Sequence, residues 1–197
     1  DNRLPDEVIV TPPKASAEPA FGASGPDAAS LATMRPSTSD AASLLRDTPG
    51  VSLYGAGGVS SLPAIHGLAD DRLRIKVDGM DLIAACPNHI NPALSYLDPA
   101  QVGSLKVYAG IAPVSLGGDS IGGSIIAETP TPVFAQPGGE SLVQGEAGAF
   151  YRSNGNAHGG NASATIAGET LSLTYSGSTV KADNYYAGDN FKSVYID

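Results

Sequence analysis

Two short runs near the end of the chain alternate apolar and small polar residues, and this pattern restricts the fold more than any other feature. A repeat of two residues is that of a β-strand whose two faces meet different surroundings. Gly168-Glu169 lies between the runs and predicts a turn, so the two runs are predicted to form a hairpin. A transmembrane barrel hairpin, with lipid on one side and a wet lumen on the other, produces this pattern, and so does a half-buried hairpin of a soluble sandwich. The apolar positions are Ala162, Ala164, Ile166, Leu171, Leu173 and Tyr175.

Chain length limits what this hairpin can belong to. Residues 131–144 are predicted to be a connector that contains Pro and Gly, and residues 145–197 follow it. Even the smallest membrane barrel needs about 8 strands of about 10 residues each, so residues 145–197 cannot close one alone. Either the alternation belongs to a soluble fold, or these are the first antiparallel strands of a barrel in a longer protein.

Charge and cysteine content exclude several classes of function. The net charge is -9, from 20 acidic and 11 basic residues. This balance lacks the basic footprint that binds nucleic acid or an anionic membrane surface. The sequence shows neither a leader nor an apolar run of about 18 residues, so a transmembrane helix is not expected, and a membrane role would have to come through β-strands. A single Cys cannot form a disulfide within the chain.

Residues 30–130 are predicted to form a compact α+β domain, a small mixed sheet with short helices and long loops. Ser39-Asp40 predicts an N-cap for a helix of about two turns that ends at Pro49-Gly50. Alternating residues on either side of Asp78-Gly79 predict a hairpin. Two further strands are predicted in "SLKVYAG" (104–110) and "SIGGSIIAET" (120–129).

Residues 1–29 are predicted to be a flexible segment, because they are rich in Pro, Ala, Ser and Gly. They contain one β-prone island, which is too short to offset about 1–2 kcal/mol of backbone entropy per residue on its own. The island could add as a strand to the edge of a partner's sheet, or it could be the frayed first strand of the domain. It consists of Glu7, Val8, Ile9, Val10 and Thr11.

Several motifs follow one another in a fixed order. "DEVIVTP" (6–12) precedes "LLRDTPGVSLYGAGGVSSLPAIHGLADDRLRIKVDGM" (44–80), which precedes "LDPAQVGSLKVYAGIAPVSLGGDSIGGSIIAETP" (97–130) and the alternating strands of 145–197. This order resembles a TonB box, the two halves of a plug domain and the first barrel strands of a TonB-dependent outer-membrane receptor. In one place the chain departs from the family, since "AIHG" has His66 where many members have Arg; we expect this His to be half-buried and hydrogen-bonded.

The resemblance implies a transport receptor rather than an enzyme. The plug would lie inside the barrel in the bacterial outer membrane, in contact with its lipid through the barrel, and the N-terminus would lie in the periplasm. Ligand binding outside would release the box at residues 7–11, which would bind TonB, the partner that transmits energy from the inner membrane. No resident cofactor would be required.

The loop "GMDLIAACPNHINPALSYLDP" (79–99) resembles most closely the copper-receptor group of that family. Cys86 and His89 are its candidate metal ligands, because thiolate selects Cu(I) and imidazole binds copper and zinc. A Met expected after the His is replaced by Ile90, which cannot ligate. Alternatively, Cys86 is a small buried hydrophobic residue and His89 forms a hydrogen bond within the turn.

Three interpretations of the ligand and class therefore remain open. The first is import of copper, and the second is import of zinc or of a metal chelate such as a siderophore. The third is a soluble periplasmic metal-binding protein, in which the apolar face at Leu171, Leu173 and Tyr175 would pack on a core. Asp70, Asp71, Asp78 and Asp81 lack the spacing of a calcium loop and are expected to cap turns or contact solvent.

Overall fold

The computed structural model describes residues 22–56, 60–85, 88–89, 91–110, 112–116 and 120–184 of the 197-residue chain. They form a domain around a five-stranded sheet, here called the mixed-sheet domain (residues 22–128), and a separate three-stranded sheet, here called the C-terminal sheet. The one α-helix of the described residues is α1, Ala28–Met34. The strands are β1 Ala23–Ser24, β2 Val51–Ala56, β3 Ser60–Ile65, β4 Leu73–Val77, β5 Met80–Leu82, β6 Ser104–Ala109, β7 Gly123–Glu128, β8 Leu142–Arg152, β9 Ala157–Ala167 and β10 Ser172–Lys181.

The five-stranded sheet has the order β1-β6-β7-β4-β5, in which only β4 and β7 run parallel. Strand β4 alternates buried and half-buried residues because Leu73, Ile75 and Val77 face the core. The turn after it has φ angles of 49° at Asp78 and 81° at Gly79, which the Asp-Gly pair tolerates. The predicted hairpin and the strands at 104–109 and 123–128 are therefore confirmed. Strands β2 and β3 pair as a separate hairpin.

The helices are shorter than the sequence predicted. The side chain of Asp40 accepts a hydrogen bond from the Ala42 backbone N–H at 3.1 Å, so the predicted N-cap is confirmed. The element that follows is a 3-10 helix, Ala41–Leu45, and the prediction of a two-turn helix was wrong. Its backbone bonds run between residues three apart, and this tight turn buries Leu44 and Leu45 together. None of the helices in the described part of the chain combines the length and apolar character needed to cross a membrane.

One apolar core lies between the mixed sheet and the 3-10 helices. Leu31 of α1 and Val102 pack in the same cluster as Leu44, although they come from distant parts of the chain. Neither α1 nor β1 was predicted. Helix α1 begins at an N-cap, Asp27, whose side chain accepts a hydrogen bond from the backbone N–H of Ser30 at 2.7 Å. These contacts bring the start of the described chain onto the domain.

The C-terminal sheet pairs β8, β9 and β10 in antiparallel register and confirms the predicted hairpin of β9 and β10. Val143, Ile166 and Leu173 are directly opposite one another, so the apolar residues of all three strands share one face. That face is exposed: Leu173 is 68% and Tyr175 78% accessible. The other face is polar and contacts the mixed-sheet domain.

Candidate functional site

The predicted ligands lie in the loop that follows β5, residues 83–92. The loop ends at Pro92, which is buried, and the next turn of 3-10 helix, Ala93–Tyr96, buries Leu94 completely. Within the loop, the Ala85 backbone N–H donates to the Tyr96 hydroxyl at 3.3 Å. The C-terminal end of the loop is thus attached to the core, and Ala85 is linked to the exposed side chain of Tyr96.

His89 contacts a carboxylate from a different loop. Its Nδ1 lies 3.8 Å from Oδ1 of Asp70, and its side chain is only 18% exposed. Asp70 begins the 3-10 helix Asp70–Arg72, and its other oxygen, Oδ2, lies 4.0 Å from Nη1 of Arg72. Both His89 and Asp70 have left-handed backbone, with φ of 49° and 59°. The contact joins the loop before β4 to the loop after β5.

Part of the predicted site lies outside the described residues. Cys86 and Ile90 are among these, and so is the predicted TonB box, residues 7–11. Within the residues that the structure describes, His, Cys, Asp and Glu side chains form no group of three or more that could hold a metal ion. The pairing of Cys86 with His89 as metal ligands therefore stays a prediction.

His66 lies elsewhere, in the turn that follows β3. The expectation that it is half-buried was wrong, because His66 and Gly67 form an exposed turn with φ of 49° and 80°. The His66 backbone N–H donates to the carbonyl of Gly50 at 2.9 Å. Its ring covers Gly50 so closely that a Cβ there would lie 2.7 Å from Nε2. His66 therefore packs on the backbone of a neighbouring turn.

Asp78 and Asp81, the two acidic residues of the β4–β5 hairpin, have hydrogen-bond partners other than His89. Asp81 accepts two hydrogen bonds from the Arg74 guanidinium, at 2.6 and 2.8 Å, and this interaction lowers the pKa of its carboxyl. Asp78 accepts from the backbone N–H of Thr129 at 2.8 Å and from its hydroxyl at 3.0 Å. Neither carboxylate shares its partner with Asp70.

A second functional region joins the mixed-sheet domain to the C-terminal sheet through Arg152, the last residue of β8. Its guanidinium donates to the Ser39 hydroxyl at 2.6 Å and to the Ser37 carbonyl at 3.3 Å. It also lies 4.6 Å from the centre of the Phe150 ring, on the same strand face. Arg152 therefore binds the turn that follows α1.

Further contacts between the two sheets are also polar. The side chain of Gln101 donates to the Ser176 hydroxyl at 3.3 Å, and the Ser178 hydroxyl donates to the Asp98 carboxylate. These contacts could not be predicted, because no local pattern reports how β10 packs on the mixed-sheet domain. Strand β8, which carries Arg152, was also not predicted as a strand. Its signal was present: Gln144, Glu146 and Arg152 occupy alternate positions of residues 142–152.

A cavity of about 850 Å³ lies between the polar face of the C-terminal sheet and the mixed-sheet domain. One charged group on its wall is already paired: Glu128 accepts a hydrogen bond from Ser104 at 2.7 Å and lies 3.6 Å from the Lys106 ammonium. Such a polar space fits water and hydrated solutes. Its polar lining consists chiefly of Arg35, Gln101, Ser104, Glu128, Thr129, Gln144, Glu146, Ser163, Thr165, Ser172, Thr174 and Ser176.

Comparisons with known proteins agree on one family. Residues 28–124 match the family model of the TonB-dependent receptor plug domain. Among solved structures, the chain is similar to a copper transporter, OprC, with 28% identity and a TM-score of 0.65, over 74% of this chain and 22% of that one. A search of curated protein sequences found no match.

Two other solved structures share the fold at lower identity. The FrpB iron transporter from Neisseria meningitidis is 24% identical with a TM-score of 0.64, over 88% of this chain and 26% of that one. The siderophore receptor PirA from Pseudomonas aeruginosa is 22% identical with a TM-score of 0.59, over 85% and 30%. The chain thus spans between 22% and 30% of the length of these three proteins. The mixed-sheet domain is therefore a plug domain, and the chain is identified as part of a TonB-dependent receptor.

Proposed function

We propose that the receptor carrying this chain imports copper or a copper complex across the bacterial outer membrane, and that its plug domain is the gate. The observation that carries the proposal is the 28% identity to a copper transporter over 74% of the chain, in a fold whose plug belongs to the TonB-dependent receptors. Transport is the activity of this class, so the chain needs no catalytic group.

The two faces of the C-terminal sheet support a place in the wall of a membrane barrel. In the alternative of a soluble periplasmic metal-binding protein, Leu173 and Tyr175 would pack on a core. Both are instead exposed, together with Val143 and Ile166, on the face that turns away from the plug domain. Apolar residues outside and polar residues inside are the arrangement of an outer-membrane barrel strand.

The contacts between plug and wall suit a gate that must move. They are hydrogen bonds made by Arg152, Gln101 and Ser178, and a polar cavity lies beside them. Water can replace a neutral bond such as that between Gln101 and Ser176 at a net cost of about 0.5–1.5 kcal/mol, and a bond to a charged group at about 1.5–3 kcal/mol, less where the contact is partly exposed. The apolar core consists of residues of the plug domain alone, so it does not depend on these contacts.

Energy would enter through the N-terminal segment. We propose that residues 7–11 form the TonB box and add as a strand to TonB, since backbone hydrogen bonds supply affinity in strand addition. The described chain begins with β1, which pairs with β6 through only two residues, Ala23 and Ser24. Tension on the preceding segment would therefore reach β1 before any other described strand.

Copper is the ligand that fits the proposed donors. Thiolate from Cys86 would select Cu(I), and His89 would add an imidazole nitrogen. His89 lies 3.8 Å from a carboxylate and its side chain is 18% exposed, which suits a ligand whose ring orientation must be fixed. Further ligands would come from parts of the receptor beyond this chain.

Competition titration with a Cu(I) chelator, on the intact receptor in detergent under reducing conditions, tests the copper assignment. Cys86→Ser and His89→Ala should weaken Cu(I) binding strongly, in that order. His66→Gln is the matched control, because His66 is an exposed plug histidine in another turn, and it should bind as the wild type does. Equal affinity in all four proteins would refute the ligand assignment.

Import of zinc or of a metal chelate is the alternative within this class. Solved structures of an iron transporter and a siderophore receptor share the fold, although their identities of 24% and 22% carry the fold alone. A chelate receptor would recognise the organic ligand, so it would not need Cys86. A zinc receptor would bind Zn²⁺ in preference to Cu(I) in the same titration.

A further inference from the structure

We propose that Asp70 is a positioning residue that orients His89 for metal binding, an inference that rests on the proposed copper function. The Asp70 carboxylate lies beside Nδ1 of the imidazole, with 3.8 Å between Oδ1 and Nδ1. On its other side, Oδ2 of Asp70 lies 4.0 Å from Nη1 of the exposed Arg72 side chain. The remaining ring nitrogen, Nε2, is then the one available to a metal ion.

A carboxylate beside a histidine is a common arrangement at metal sites. A histidine that binds a metal through one nitrogen usually donates the N–H of the other to a carboxylate or carbonyl oxygen. This donation selects the tautomer, fixes the plane of the ring and makes the metal-binding nitrogen more basic. The Asp70 carboxylate lies on the Nδ1 side of His89, where such an acceptor would lie, but at 3.8 Å it does not yet accept the bond.

The two groups lie just beyond hydrogen-bond distance. A distance of 3.8 Å exceeds an N–H···O hydrogen bond by about 0.8 Å, so a small movement of the His89 loop completes the bond. The His89 side chain is only 18% exposed, which limits the other positions open to the ring. Ligand binding at Nε2 and closure onto Asp70 would therefore favour each other.

Asp70 and His89 share an unusual backbone geometry. Asp70 and His89 both have positive φ, at 59° and 49°, a conformation that Asp and Asn tolerate better than most residues. Asp70→Asn therefore removes the charge without disturbing the backbone. Asp71→Asn is the matched control, because Asp71 is the adjacent exposed carboxylate.

The experiment compares Asp70→Asn, Asp71→Asn, His89→Ala and Cys86→Ser in the intact receptor. Cu(I) affinity is measured by chelator competition, and copper K-edge X-ray absorption reports whether an imidazole is bound. Loss of an outer carboxylate typically lowers metal affinity 10–100-fold, so about 10-fold is expected for Asp70→Asn, with weakened imidazole scattering. Asp71→Asn should match the wild type in both measurements, and Asp70→Glu should restore part of the affinity.

The outcomes separate this inference from the function on which it rests. If His89→Ala and Cys86→Ser lose affinity while Asp70→Asn keeps both affinity and imidazole scattering, Asp70 has no positioning role and the copper site stands. If all variants bind copper as the wild type does, the copper site itself is refuted, and the role of Asp70 falls with it. If Asp71→Asn weakens binding as much as Asp70→Asn, the effect is one of general charge and the inference is overturned.

Discussion

Arg152→Ala should loosen the turn after α1 from the C-terminal sheet without unfolding the plug domain. The substitution removes two hydrogen bonds from a charged donor, to Ser39 at 2.6 Å and to Ser37 at 3.3 Å. Bonds to charged groups contribute about 1.5–3 kcal/mol each when buried. Because this contact is partly exposed, we take about 2 kcal/mol for the pair. Every 1.4 kcal/mol is tenfold, so local opening should increase about 30-fold.

Hydrogen exchange, measured by mass spectrometry on the intact receptor, reports that opening directly. The backbone N–H groups of Asp40, Ala42 and Ser43 are hydrogen-bonded next to the Arg152 contact, so their exchange should accelerate. Amides of β6 and β7 should keep the wild-type rate. Arg46→Ala is the matched control, since the Arg46 side chain donates only to Ser43 within the plug. Less than a twofold change in Arg152→Ala, or an equal change in Arg46→Ala, would refute an anchoring role.

Two further predictions concern the stability of the plug domain. Gly123→Ala should destabilise it by at least about 2 kcal/mol, because φ is 128° and the new Cβ would lie 2.2 Å from the Tyr108 carbonyl oxygen. Gly168→Ala is the control, because Gly168 lies in an open turn and its replacement should change stability little. Equal denaturation midpoints of the two variants would count against the sheet register. The pKa of Asp81 is lowered, mainly because its carboxylate accepts hydrogen bonds from Arg74. This interaction therefore stabilises the folded state above a pH of about 4, and the stabilisation is lost as the pH falls through the lowered pKa. Asp81→Asn should therefore show a smaller acid-induced loss in denaturant titrations between pH 6 and about 2, and an unchanged loss would contradict the pairing.

Local signals made part of the fold predictable from the sequence. The β4–β5 hairpin follows from strict alternation around Asp78-Gly79, and the β9–β10 hairpin from the same pattern around Gly168-Glu169. Strand β8 was missed because small residues such as Gly145 and Gly148 weaken its alternation. Strand β1 has only two residues, and it is a strand because it pairs with β6. No local sequence pattern predicts such a pairing between distant residues.

Part of the candidate site could likewise be predicted from the sequence, and part required the structure. The residue type and spacing of Cys86 and His89 could be recognised in the sequence, because they are neighbours in one loop. The contact of His89 with Asp70 could not be recognised, since it depends on how two loops meet at one end of the folded sheet. Arg152 reaches Ser39 across 113 residues, so that contact also required the assembled structure.

Accumulation of radioactive copper by cells that carry the receptor tests the central claim most directly. The host should lack other copper receptors, and the wild type is compared with a deletion of residues 7–11 and with Cys86→Ser. We expect copper uptake in cells that carry the wild type and none in cells that carry either variant. The purified deletion mutant should nevertheless bind Cu(I) as tightly as the wild type, because the box acts on energy coupling and not on the ligand. Uptake by the deletion mutant at the wild-type rate would contradict TonB-dependent import through this receptor.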